Sequence, residues 1–215
     1  MSTVPMTTIG DLLEQLGDIP AQRVRLQPAP GTATERDVIE IEARENRLCE
    51  LVDGVLVEKA MAYYESRVAG LIFHFIEDYL EDHDEGIVAG ADGMMRLAPG
   101  LIRIPDVSFI SWKRLPNRRV PRGPFARLGP DLAVEVLTEG NTEKEMERKV
   151  HEYFTAGAQV VWLVDPDTRT AAVYTSPDEY TVLHERQALT GGDLLPGFTL
   201  PLRKLFARAE GRRGR

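Results

Sequence analysis

Asp131-Leu132-Ala133-Val134-Glu135-Val136-Leu137 is a short, almost wholly apolar run with one carboxylate near its centre. A run of this length and composition, closed by Thr138-Glu139-Gly140-Asn141, predicts an interior β-strand. Val160-Val161-Trp162-Leu163-Val164 reads the same way and is stopped by Asp165-Pro166. Between the two, Thr142-x-x-Glu145 has the form of a capping box, and a helix is predicted from there to Gly157. Upstream, Ala69, Ile72, Phe73, Ile76 and Leu80 recur at helical spacing, predicting a helix over 62–82 with one buried face. Asp53-Gly54 between two apolar runs predicts a hairpin over 47–59. Short strands are expected at 86–89, 93–97 and 102–110, and a second hairpin around Pro177-Asp178-Glu179. Pro196-Gly197 and a short helix near 202–206 close the pattern. The expectation is a mixed α/β (α+β) domain with one central sheet.

The chain has 215 residues, which favours one domain over two. No apolar run approaches the roughly 20 residues of a membrane-spanning helix, and the N-terminus lacks the basic start and apolar stretch of a secretory signal. A soluble, cytoplasmic protein with no membrane partner is expected. A single cysteine, Cys49, excludes an internal disulfide, and the four histidines show no paired metal-ligand spacing. Residues 1–45 read as an N-terminal extension with a short helix near 8–16 and a Pro/Gly-rich link, and 207–215 as a basic tail.

The net charge of −8 argues against bulk attraction to nucleic acid. Its distribution is uneven. Residues 113–127 hold six basic side chains and no acid, whereas 77–85 hold six carboxylates in nine positions. Such runs are commonly solvated faces. In 113–127 the prolines at 116, 121 and 124 also suit a stiff phosphate-binding loop carrying Arg118, Arg119 and Arg122.

Three positions break local rules. Glu135 sits in an interior strand, where a carboxylate needs a cation or hydrogen bonds to offset lost hydration. Pro105-Asp106 interrupts an apolar run, so the strand is at an edge or bent there. Asp106 is then a ligand, or a turn or cap residue. Lys149 lies about 60° from Met146 and about 40° from Tyr153 around the second helix, on the flank of its apolar stripe. It either snorkels to solvent or supplies positive charge where a phosphodiester develops negative charge. Taken together, Asp106 and Glu135 could hold a hard divalent cation such as Mg²⁺, with Lys149 supplying positive charge beside a phosphodiester.

At these residues the sequence resembles the Uma2 family of restriction-endonuclease-like proteins, part of the PD-(D/E)XK nuclease superfamily. The segments that carry the resemblance are CELVDGVLVEKA (49–60), IPDVSFIS (104–111), PDLAVEVL (130–137), 141–166 and 194–206. It implies a restriction-endonuclease-like mixed central sheet flanked by helices over 46–206. It also implies Mg²⁺- (or Mn²⁺-) dependent hydrolysis of DNA phosphodiesters, with Asp106 and Glu135 as metal ligands and Lys149 and Glu50 as further catalytic residues. Tyr153 and Glu65 are supporting positions, Glu65 standing where relatives carry His. The superfamily's usual lysine two residues after the Glu is Leu137 here. A homodimer is expected, since two strands of a duplex need two sites. The competing expectation is a nuclease fold that binds or regulates without turnover. Cysteine or serine hydrolase chemistry is not expected, because no Gly-x-Ser-x-Gly elbow is present.

Overall fold

The computed structural model describes residues 8–60 and 62–211. In chain order these form α1 (Ile9–Gln15), α2 (Glu35–Glu45), β1 (Cys49–Val52), β2 (Val55–Glu58), α3 (Tyr63–Asp82), β3 (Gly86–Ala89), β4 (Met95–Ala98), β5 (Leu101–Arg103) and β6 (Val107–Ser111). There follow β7 (Leu132–Val136), α4 (Glu143–Thr155), β8 (Val160–Asp165), β9 (Thr170–Ser176), β10 (Glu179–Leu183), β11 (Ala188–Gly191), β12 (Leu195–Pro201) and α5 (Leu202–Ala209). Arg212, Arg213 and Arg215 of the basic tail lie outside the described residues.

The central sheet has six strands in the order β10-β9-β8-β7-β6-β3. β7 and β8 run parallel and the other pairs are antiparallel. The expected mixed α+β fold with a central sheet flanked by helices is the one found. Period-2 alternation decides what β7 shows to each side. Leu132, Val134 and Val136 enter the core with Ile72 and Ile76 of α3 and Phe206 of α5. Ala133 faces Met146, Val150 and Tyr153 of α4, and Glu135 points the same way.

Residues 102–110 are not one strand. β5 belongs to a four-stranded sheet (β2-β1-β5-β4), and the chain leaves it at Ile104-Pro105-Asp106 to enter the central sheet as β6. Pro105 therefore marks a change of sheet rather than an edge, because a residue without an N–H sits best where neither ladder needs a donor. A third, two-stranded sheet pairs β11 with β12. Pro196-Gly197 lies inside β12, in this isolated ribbon with no third strand to demand an N–H.

The hairpin turn is as expected, with Asp53 and Gly54 both at positive φ. Its tip is covered: Gly31 and Ala33 donate their N–H groups to the Gly54 carbonyl, each at 2.9 Å. Residues 8–45 are thus packed against the domain and not appended to it. α2, capped by Thr34 and Asp37, was not read from the sequence. Leu12, Leu16 and Ile19 are buried with Val52, Val55 and Val57. Arg23 makes a bidentate pair with Glu145 (2.7 and 2.9 Å), both nearly buried. That pair corrects the expected capping box. Thr142 does accept from the Glu145 N–H at 3.1 Å, but the Glu145 carboxylate turns to the guanidinium, a stronger charge-assisted partner. Lys144 and Arg148 also serve this junction, through Asp18 and through Asp53 and the Gln15 carbonyl.

Replacing Arg23 with Ala would leave Glu145 buried without its partner. Urea unfolding is expected to show a loss of about 3–5 kcal/mol; a change below about 1 kcal/mol would mean that the N-terminal segment is not anchored through this pair.

Candidate active site

Glu135, Lys149 and Glu50 meet in the interior where α4 crosses both large sheets. Lys149 Nζ lies 3.2 Å from Glu135 Oε1 and 3.1 Å from Glu50 Oε1. Tyr153, one turn further along α4, donates its hydroxyl to the same Glu135 oxygen at 2.6 Å. Arg103 of β5 reaches Glu50 Oε2 at 2.7 Å and Glu152 Oε2 at 2.6 Å. The Ile104 N–H adds a hydrogen bond to Glu50 Oε1 at 3.1 Å. Residue exposure is 0% for Glu50, 4% for Glu135 and 3% for Lys149. Lys149 therefore does not snorkel, because two desolvated carboxylates outweigh the pull of solvent on a chain long enough to reach either.

Asp106 occupies the sheet-to-sheet link. Its Oδ2 accepts the Val136 N–H at 2.7 Å. The β6–β7 pairing begins at Val107 opposite Val134, and the Asp106 N–H donates to the Val134 carbonyl at 2.9 Å, so Asp106 stands beside the end of β7 that carries Glu135. Asp106 and Glu135 thus stand at the same end of the antiparallel β6–β7 pair. Asp106 Oδ1 is also ion-paired with Lys59 Nζ at 2.9 Å, a residue the sequence reading passed over. A small cleft lies outside this pair, lined by Glu65, Ser66, Asp106, Val136 and Thr138. Glu65 thus joins the site at its rim. A larger cavity of about 380 Å³ shares Thr138 but is bordered by Glu139, Glu143, Asp165 and Asp167, and their charge repels phosphate.

The basic loop begins at the other end of β6. Arg118 pairs with Asp84 and stacks over the Trp112 ring at 4.6 Å, and Trp112 Nε1 donates to Asp84 Oδ1 at 2.7 Å. From Asp106 to Ser111 is five strand residues, roughly 17 Å. The acidic end of α3 is therefore partner to the basic loop, and Arg118 is not brought to the carboxylate cleft. Arg119 and Arg122 are exposed.

Burial works against the Glu50 anion, but Lys149 and Arg103 prevail and hold its carboxyl at about 2. Glu135 moves the other way. Burial raises its carboxyl, Lys149 opposes, and the neighbouring Asp106 and Glu50 charges add to the rise. Burial together with Glu135 and Glu50 raises the Tyr153 hydroxyl well above its ordinary range, so it stays a donor. Burial raises the Cys49 thiol to about 11, which leaves it a packing group and no nucleophile.

Among the described residues no group of three or more His, Cys, Asp or Glu is arranged to hold a metal ion. The donor set present is two carboxylates, Asp106 and Glu135, with Glu65 on the rim. These are hard oxygen donors, and Mg²⁺ binds through one or two carboxylates with water completing its shell. A cation already stands at Asp106, the Lys59 ammonium, so this end of the pair attracts positive charge. By donor chemistry the pair fits a hard divalent ion.

The sequence model of the Uma2 family, described as "Putative restriction endonuclease", matches residues 36–203. The chain belongs to the Uma2 family. A crystal structure from Anabaena variabilis, described as a "putative nuclease belonging to DUF820", superposes with a TM-score of 0.68 at 19% identity. The superposition covers 76% of this chain and 92% of that one, a likeness of fold. No curated protein matches the chain. No helix among the described residues is long and apolar enough to cross a membrane. Restriction-endonuclease-like families generally use divalent metals. In this Uma2 chain the family match takes in every residue of the carboxylate site, Glu50 to Tyr153.

Arg103, its partner Glu152 and Lys59 escaped the sequence reading. Arg103 stands between Ile102 and Ile104 in a buried strand, the same local violation that drew attention to Glu135. Lys59 follows directly on the apolar run Val55-Leu56-Val57, but nothing local says which distant carboxylate it will meet.

Because Glu50 loses proton affinity on folding, its stabilising contribution is full above about 4.5 and is lost as pH falls toward about 2. Glu135, shifted upward, acts in the opposite sense: its contribution is present at low pH and is lost as pH rises through its raised value. Glu50→Gln is expected to cost roughly 3 kcal/mol at pH 7. Denaturant unfolding at decreasing pH should show this gap closing below about 4.5, and a gap independent of pH would contradict the assignment. Tyr153→Phe is expected to lose about 1.5–3 kcal/mol, measured in the same way.

Proposed function

We propose that this protein is a Mg²⁺- (or Mn²⁺-) dependent endonuclease acting on DNA, with Asp106 and Glu135 as the metal-holding carboxylates. The observation that supports this reading is Asp106, lining a cleft at the entry to β6, beside the end of β7 that carries Glu135 and its buried lysine. A divalent ion bound there would polarise a phosphoryl oxygen and lower the pKa of a water.

The chain's own groups do the positioning. The Val136 N–H orients Asp106. Lys149 and Tyr153 fix one oxygen of Glu135. Lys149 also offsets the charge of Glu135 in a dry setting, where an unpaired anion would take up a proton instead. In this arrangement Lys149 acts through Glu135 rather than on the phosphate. Glu50 and Arg103 hold the ammonium at that spot, and Glu65 stands where it can orient a water at the rim. Arg119 and Arg122, exposed on the basic loop, suit phosphate contacts about a strand length away. A duplex presents two strands, so the working unit in this reading is a symmetric homodimer in the cytoplasm.

A second reading, a nuclease fold that binds or regulates without turnover, is favoured by one feature: the Lys149 charge is spent on Glu50 and Glu135, so none of it reaches the cleft.

Plasmid nicking with Mg²⁺ or Mn²⁺ separates the two. Asp106→Ala and Glu135→Ala are expected to reduce cleavage about a hundredfold or more, and Lys149→Ala to do likewise in protein shown by circular dichroism to be folded. Cleavage that survives all three substitutions rejects the site. Salt-dependent DNA binding without cleavage under either ion selects the second reading. Reversing the charge of Arg119 and Arg122 is expected to weaken DNA binding; unchanged affinity removes the basic loop from the interface.

A further inference from the structure

Lys59 is the cation at the cleft end of the carboxylate pair. Its side chain is 4% exposed, and its ammonium lies 2.9 Å from Asp106 Oδ1. It also donates to the carbonyls of Ile104 at 2.8 Å and Ala91 at 2.9 Å. These partners come from the link between the two large sheets and from the turn between β3 and β4. Lys59 is not needed to aim Asp106, because the Val136 N–H already fixes the other carboxylate oxygen. What Lys59 adds is one positive charge in contact with a proposed metal ligand.

Charge balance shows what that does. Glu50, Glu135, Glu152, Asp106 and Asp53 are met by Lys59, Lys149, Arg103 and Arg148, five against four. The network carries one net negative charge before any metal arrives, so a divalent ion entering alone leaves one uncompensated positive charge beside an ammonium. An anionic phosphodiester entering with it restores the balance. We propose that Lys59 is a built-in counter-cation that competes with the divalent metal for Asp106. It keeps metal affinity low in the free protein and couples metal uptake to the anionic substrate. This rests on the reading of Asp106 and Glu135 as the metal pair.

The test is Mn²⁺ binding to the purified protein, followed by loss of the free-ion EPR signal, and it needs no turnover. Lys59→Met removes the charge at similar length and is expected to bind Mn²⁺ at least about tenfold more tightly than wild type. Lys59→Gln, which keeps a donor for the two carbonyls, should show the same gain and serves if the Met variant does not fold. Lys59→Arg, which keeps the charge, should stay near wild type. A non-cleavable oligonucleotide should raise Mn²⁺ affinity more in wild type than in Lys59→Gln. Affinity unchanged or weakened in folded Lys59→Met and Lys59→Gln, while Asp106→Asn loses binding, overturns the role of Lys59 and leaves the metal pair standing. Binding that is untouched by both Asp106→Asn and Glu135→Gln, or absent from every protein, overturns the metal pair itself and the inference with it.

Discussion

A single ammonium shared between two buried carboxylates holds this molecule in register. Lys149 touches Glu50 of β1 and Glu135 of β7, and so ties α4 to both large sheets at once. Three ionised groups out of water would each lose several kcal/mol of hydration. Their mutual contact, with the Tyr153 hydroxyl, the Ile104 N–H and Arg103 filling the remaining sites, makes the burial tolerable. Taking away any one member leaves the others charged and dry, so the network admits one arrangement of helix and strands.

The site follows from that arrangement and from one break in the chain. Where residues 104–106 pass from one sheet to the other, neither ladder claims their backbone groups in full, and Asp106 is free to turn its carboxylate to the Val136 N–H and to Lys59. The carboxylate pair thus stands at a seam, backed by packed apolar side chains on the α3 side of β7 and by the ionic network on the α4 side. The N-terminal segment closes the far side of α4 through Arg23 and Glu145. A site bounded in this way is stiff around Asp106 and Glu135.

Charge on the surface has a more local meaning than its density suggests. The basic run at 113–127 and the acidic run at 77–85 look in the sequence like two independent features, yet Arg118 meets Asp84 and rests on Trp112. Part of each run is spent on the other. A charge count sees the surplus but not the pairing, because the pairing depends on β6 returning from the other sheet to lie beside β3.

Local chemistry was enough to locate the elements and the exceptional residues. The apolar runs, the Asp53-Gly54 turn and the helical spacing of α3 and α4 express short-range sterics and hydration, which act over a few residues. Glu135, Asp106 and Lys149 could be singled out because each violates its immediate surroundings. What tertiary structure alone decided were the partners: Lys59 for Asp106, Arg103 for Glu50, Arg23 for Glu145, and the division of 102–110 between two sheets. The three pairs are separated by 47, 53 and 122 positions along the chain. A long, flexible basic side chain can reach any carboxylate within its radius, so its choice is made by which backbone folds beside it.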